Sequence, residues 1–150
     1  MKILICSDSH KRLDIFQKII KKEMPEVILF AGDHSSDAID LSYVYNKIKF
    51  YVVRGNTDYS DVETLDKIVL EVGKNKVLLV HGHLFGVKSY MSDLVKEAER
   101  EGVNICIFGH THIPYYKVKN FIKYVNPGAV QDGNYAIWAD KKIELKKIQG

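Results

Sequence analysis

The chain has 150 residues, 46% of them hydrophobic and 27% charged, with a formal net charge of +3. That length fits one domain, expected over residues 1–150, whose core is large enough to fold without a disulfide or metal staple. Apolar runs recur throughout, which excludes a disordered chain, and none approaches the ~20 residues of a membrane helix.

In chain order, Lys2–Cys6 reads as a buried strand, with Asp8 interrupting the apolar run too early for a secretory leader. Leu13–Lys22 has helical spacing, with Ile15, Phe16, Ile19 and Ile20 on one face. Val27–Phe30 predicts a second strand, Ala38–Lys47 a helix, and Phe50–Val53 a third strand. This β-α-β-α-β order implies a parallel sheet. Ile68–Val72 and Lys76–Val80 flank Gly73-Lys74-Asn75, a hairpin signal. Ser89–Arg100 predicts a helix capped by Ser89 or Ser92, and Asn104–Phe108 another buried strand. Tyr115–Val118, Phe121–Val125, Tyr135–Ala139 and Ile143–Lys147 read as strands in hairpins, with turn chemistry at Asn126-Pro127-Gly128 and Asp132-Gly133. The fold class is α/β, parallel-rich in the N-terminal half and antiparallel in the C-terminal half.

Cys6 and Cys106 both lie in apolar runs. Two buried thiols point to a reducing compartment, hence a cytoplasmic protein. Lys141, Lys142, Lys146 and Lys147 cluster near the C-terminal end, as on an edge strand protected from sheet-to-sheet pairing. Charges are mixed elsewhere, which argues against a nucleic-acid partner, and the shortness of the apolar runs argues against a membrane partner. A homo-oligomer is left open.

The chemistry-bearing residues follow predicted strands. His10 comes after Ile3-Leu4-Ile5-Cys6, His34 after Val27–Phe30, His81 and His83 after Val77–Val80, and His110 and His112 after Ile105–Phe108. Asp8, Asp33 and Asn56 occupy equivalent positions. Ligands of open α/β sheets bind beyond the carboxyl ends of strands, so five strand ends are expected to converge on one rim. Carboxylate, amide oxygen and imidazole together suit divalent cations. In Asp8-Ser9-His10 and His110-Thr111-His112, a spacing of two on an extended backbone would aim both side chains to one side. A glycine stands beside Asp33, Asn56, His81 and His110 (Gly32, Gly55, Gly82, Gly109), where it permits a left-handed turn or close approach. A carboxylate such as Asp33 can bridge two cations; an imidazole cannot.

Taken in order, Asp8-Ser9-His10, Gly32-Asp33, Gly55-Asn56-Thr57-Asp58, His81-Gly82-His83 and Gly109-His110-Thr111-His112 resemble the calcineurin-like metallophosphoesterase signature. Asn126-Pro127-Gly128 is similar to a turn of its small phosphodiesterase branch. The resemblance implies a sandwich of two mixed sheets flanked by helices. It implies one divalent ion on Asp8, His10, Asp33 and His112, and a second on Asp33, Asn56, His81 and His110. Mn²⁺ is favoured, with Ni²⁺, Fe²⁺, Zn²⁺ and Mg²⁺ as alternatives. The implied activity is hydrolysis of a small phosphate ester, foremost a phosphodiester, by a metal-bridging hydroxide, with Asp33, Asn56 and His83 as catalytic residues. Thr57 departs from the pattern: the commonest family form has a histidine there, credited with protonating the leaving group. The alternative is an interaction module of the same fold that has lost its activity.

Overall fold

A computed structural model describes residues 1–61 and 63–149. Strand β1 (Ile3–Cys6) leads through helix α1 (Leu13–Glu23) to β2 (Val27–Phe30), and helix α2 (Ser35–Val44) leads to β3 (Lys49–Val52). The hairpin of β4 (Lys67–Val72) and β5 (Asn75–Val80) precedes helix α3 (Ser92–Glu101) and β6 (Ile105–Ile107). Two further hairpins follow, β7 (Tyr115–Lys119) with β8 (Ile122–Asn126), and β9 (Asn134–Ala139) with β10 (Lys142–Lys147). The strands form two five-stranded sheets, ordered β10-β9-β1-β2-β3 and β4-β5-β6-β8-β7.

Each sheet has three parallel strands at its heart. In the first, helical crossovers make β1, β2 and β3 parallel, and β9 joins β1 antiparallel. In the second, β5, β6 and β8 are parallel, bordered by antiparallel β4 and β7. Alternation along the strands divides the core. Ile3, Ile5, Leu29, Val77, Leu79, Ile105 and Ile107 meet between the sheets. Leu4, Cys6, Ile28 and Phe30 face outward onto Phe16, Ile19 and Ile20 of α1. Leu78, Val80, Cys106 and Phe108 likewise cover Leu94 and Ala98 of α3. Burial on both faces explains why these strands read as unbroken apolar runs.

Several elements differ from their sequence expectation, for physical reasons. Helix α2 starts at Ser35 and ends at Val44, three residues ahead of the expected bounds at each end. Its first amide, Ser35 N, donates to the Asp58 carboxylate at 3.1 Å, a cap supplied from across the fold. Helix α3 starts at Ser92, because Ser89 and Tyr90 are held in a turn by the Gly86 carbonyl. Asn126-Pro127-Gly128 closes no hairpin; the chain crosses there from one sheet to the other. Cys6 and Cys106 are buried, free and in different layers.

The lysine-rich β10 is an edge strand, yet one of its lysines turns inward. Lys146 Nζ lies 3.0 Å from buried Glu23 at the end of α1, which also meets Lys2 Nζ at 2.9 Å and accepts the Tyr135 hydroxyl at 2.5 Å. Burial alone would raise the Glu23 carboxyl; Tyr135, Lys2 and Lys146 outweigh it and hold the pKa at about 2.

Candidate metal centre

The segments leaving β1, β2, β3, β5 and β6 bring Asp8, His10, Asp33, Asn56, His81, His110 and His112 together. One oxygen or nitrogen from each of Asp8, His10, Asp33 and His112 falls within 4.8 Å of all the others. His10 Nε2 lies 3.7 Å from both Asp8 Oδ1 and Asp33 Oδ2, and His112 Nε2 lies 3.3 Å from Asp8 Oδ1. Beside this group, His81 Nε2 sits 3.4 Å from Asp33 Oδ1, 3.1 Å from Asn56 Oδ1 and 3.2 Å from His110 Nδ1. Asp33 therefore turns one oxygen toward His10 and the other toward His81. His34 and His83 stand outside the two groups: His34 packs against His10 at 5.3 Å between ring centroids, and His83 against His81 at 5.4 Å.

The backbone beneath these side chains is strained. Asp8, His10, Asp33, His34, His110 and His112 all have φ between 45° and 71°. Non-glycine residues rarely adopt this left-handed region, and each instance costs on the order of 1–3 kcal/mol. An extended Asp8-Ser9-His10 or His110-Thr111-His112 is thus incorrect: side chains two apart converge because the chain curls around the centre. Two of the glycines act through space instead. A Cβ on Gly55 would collide with the Asp33 carboxylate, and one on Gly109 with Ser7 Oγ and Asp8 Oδ2.

Other residues hold the turns in place, and sequence reasoning assigned most of them no part. The Asp58 carboxylate accepts the amides of Asp33, Ser35 and Gly55, linking the β2 and β3 exits. The Thr57 amide donates to Asp33 Oδ1 at 3.1 Å. Asp8 Oδ2 accepts Ser7 Oγ and the His110 amide. Asn126 Nδ2 donates to the Gly109 carbonyl and to Thr111 Oγ1, while its Oδ1 accepts the Gly128 amide, which pins the loop carrying His110 and His112. The Gln131 side-chain amide meets His112 Nδ1 at 3.2 Å. His81 Nδ1 donates to the Ala31 carbonyl at 2.7 Å, which turns Nε2 toward the centre.

Residues 1–137 match the calcineurin-like phosphoesterase superfamily domain. The chain belongs to that superfamily. It is 34% identical over 132 residues to a probable metallophosphoesterase, YsnB, of Bacillus subtilis, a match covering 87% of this chain and 76% of that protein. It is 26% identical over 156 residues to phosphodiesterase YfcE of Escherichia coli K12, covering 87% and 79%. Among solved structures, a conserved protein of Streptococcus pneumoniae TIGR4, described as a predicted phosphoesterase, superposes with a TM-score of 0.81 at 26% identity, covering 97% of this chain and 88% of that one.

The residues of this superfamily member fit the divalent cations its family implies. Among the described residues, no hydrogen-bond partner meets buried Asp8 Oδ1 or His10 Nε2, as for groups reserved for a cation. Electrostatics agree. Burial would raise the Asp8 carboxyl, but His10, His112, His81 and Ser7 pull it well below the usual carboxylate range. Asp33 is lowered as well, with His81 overcoming burial. Contact with Asp8 raises His10 and His112. Burial opposes protonation of His81, but Asp33 and Asp8 prevail and raise it. Burial, then His81 and Lys88, pushes His110 down to about 4. The two carboxylates thus favour positive charge on His10, His81 and His112, as they would favour a bound cation.

Proposed function

We propose that the chain is a phosphodiesterase that works with two divalent ions, Mn²⁺ favoured, in one domain over residues 1–150. The observation that carries this reading is Asp33: Oδ2 faces His10 at 3.7 Å and Oδ1 faces His81 at 3.4 Å, so one carboxylate serves two ligand groups. Asp8, His10, Asp33 and His112 would hold one ion; Asp33, Asn56, His81 and His110 would hold the other. When bound, the ions supply an acidified water as nucleophile and neutralise charge on the phosphoryl oxygens.

The chain's own residues do the rest. Asp8 and Asp33 are the two anionic groups of the set, and Asn56 offers an oxygen without adding charge. His81 is oriented through the Ala31 carbonyl, and His112 lies against Gln131. Burial and His81 push His83 down, which favours the uncharged imidazole beside the His81–His110 pair, a form suited to accepting a hydrogen bond from substrate or water. The Thr57 hydroxyl is too weak an acid to protonate a departing alkoxide. The retained ligand set weighs against the interaction-module alternative.

Chelated and Mn²⁺-reconstituted protein, assayed on bis(p-nitrophenyl) phosphate and on p-nitrophenyl phosphate, tests the reading. Diester hydrolysis that depends on the metal and exceeds monoester hydrolysis is expected. Full activity after exhaustive chelation, or a monoester preference, would contradict it.

A further inference from the structure

The two flanks of the metal centre differ in chemistry. On one side, His34, Lys11 and Thr57 border a polar depression that also holds Asp40, Asp58 and Asp61. On the other side lies a trough of about 450 Å³, walled by Lys88, Met91, Phe108, Thr111, Ile113 and Tyr115. Thr111 stands between His110 and His112, so the trough begins one residue from the proposed ligands. Among the described residues, no carboxylate lines it, and Lys88 is its one charged group.

The trough is built to stay open and apolar. Its wall is stiffened by the edge-to-face contact of Phe108 and Tyr115, 5.8 Å between centroids, and Lys117 Nζ lies 5.5 Å from the Tyr115 ring centre. Ile113 directly follows His112 yet is 66% exposed, where a site serving only polar substrates would gain nothing from an isoleucine. Met91 adds an adaptable, polarisable wall suited to a flat ring. Lys88 shares the trough wall with Thr111, the residue between His110 and His112.

Resting on the phosphodiesterase reading above, we infer that this trough binds one organic arm of the substrate, and that the arm is apolar and aromatic. The phosphoryl group would lie over the centre, with its negative charge toward Lys88, and the ring would lie between Met91, Ile113 and Tyr115. The opposite flank, with its three aspartates, disfavours an anionic arm.

The test uses full-length protein loaded with Zn²⁺, which is diamagnetic, and two non-hydrolysable probes, phenylphosphonate and methylphosphonate. Burying about half of the phenyl ring predicts binding roughly 10-fold tighter for phenylphosphonate. Backbone amide shifts specific to the phenyl probe should fall at residues 87–91 and 111–115, not at 34–40 or 57–61. Ile113→Ser should reduce the phenyl advantage several-fold. Equal affinity for the two probes, or phenyl-specific shifts on the polar flank, would overturn the trough assignment; with diester hydrolysis intact, the phosphodiesterase reading would survive that result. Absence of both phosphonate binding and hydrolysis would overturn the two together.

Discussion

Asp58 Oδ2 accepts the backbone amides of both Asp33, at 3.1 Å, and Gly55, at 2.8 Å. One buried carboxylate thus joins the turn that presents Asp33 to the turn that presents Asn56, and its other oxygen starts helix α2 at Ser35. Asp58→Ala would leave three amides without their acceptor, at a cost of about 1–3 kcal/mol in stability. Metal affinity should fall by roughly 10–100-fold, as it does when groups orienting metal ligands are lost. Thermal unfolding and metal titration of the variant check both. Unchanged affinity would show that the two turns hold themselves.

Metal binding should release protons. In the metal-free protein His10, His81 and His112 have raised pKa values, while a ligating imidazole must be neutral. Calorimetry at pH 6 in two buffers of different ionisation enthalpy should therefore report proton release. The release should shrink by pH 8, and affinity should weaken as pH falls. The metal-free protein shows the converse. Its imidazolium–carboxylate contacts stabilise it fully below about pH 6.5 and fade as pH rises through the raised values. Proton uptake on binding would contradict this.

Glu23→Gln should destabilise the protein at neutral pH and much less in acid. With its folded pKa held near 2, ionised Glu23 contributes stability that is fully present above the unfolded value of about 4.3 and is lost as pH falls toward 2. The contribution is on the order of 1–2 kcal/mol, discounted because Lys2 and Lys146 reach solvent. Urea unfolding of both proteins at pH 7 and pH 3 measures it. A gap that stays constant between the two pH values would show that packing, not charge, is lost.

Thr57→His should restore a proton donor where the commonest family form carries one. Wild type is expected to favour acidic leaving groups such as nitrophenolate. The variant should gain most on alkyl diesters, toward the ~10²–10⁴-fold typical of general acid catalysis. Plots of kcat/KM against leaving-group pKa for both proteins make the comparison. A flat plot for wild type would mean that another group already protonates the leaving oxygen.

Much of the fold was legible because β1, β2, β5 and β6 are buried on both faces, so their apolar runs stand out, and the chemistry-bearing residues follow strands directly. What escaped is non-local. Nothing near Ser35 in sequence announces a cap from Asp58, so the start of α2 was misplaced. The left-handed backbone at Asp8, Asp33, His110 and His112 falls on residues that are not glycine, so residue type does not mark it. Gln131 and Asn126 lie far along the chain from the histidines they steady, and Asn126-Pro127-Gly128 reads locally as a hairpin turn although it carries the chain between sheets.

If Asp33 serves two cations, metal stoichiometry will register its loss. Elemental analysis of fully reconstituted wild type should give two divalent ions per chain. Asp33→Ala should bind fewer than two and lose turnover while remaining folded. A saturating stoichiometry of one in the wild type, or two tightly held ions with near-normal turnover in Asp33→Ala, would contradict the account.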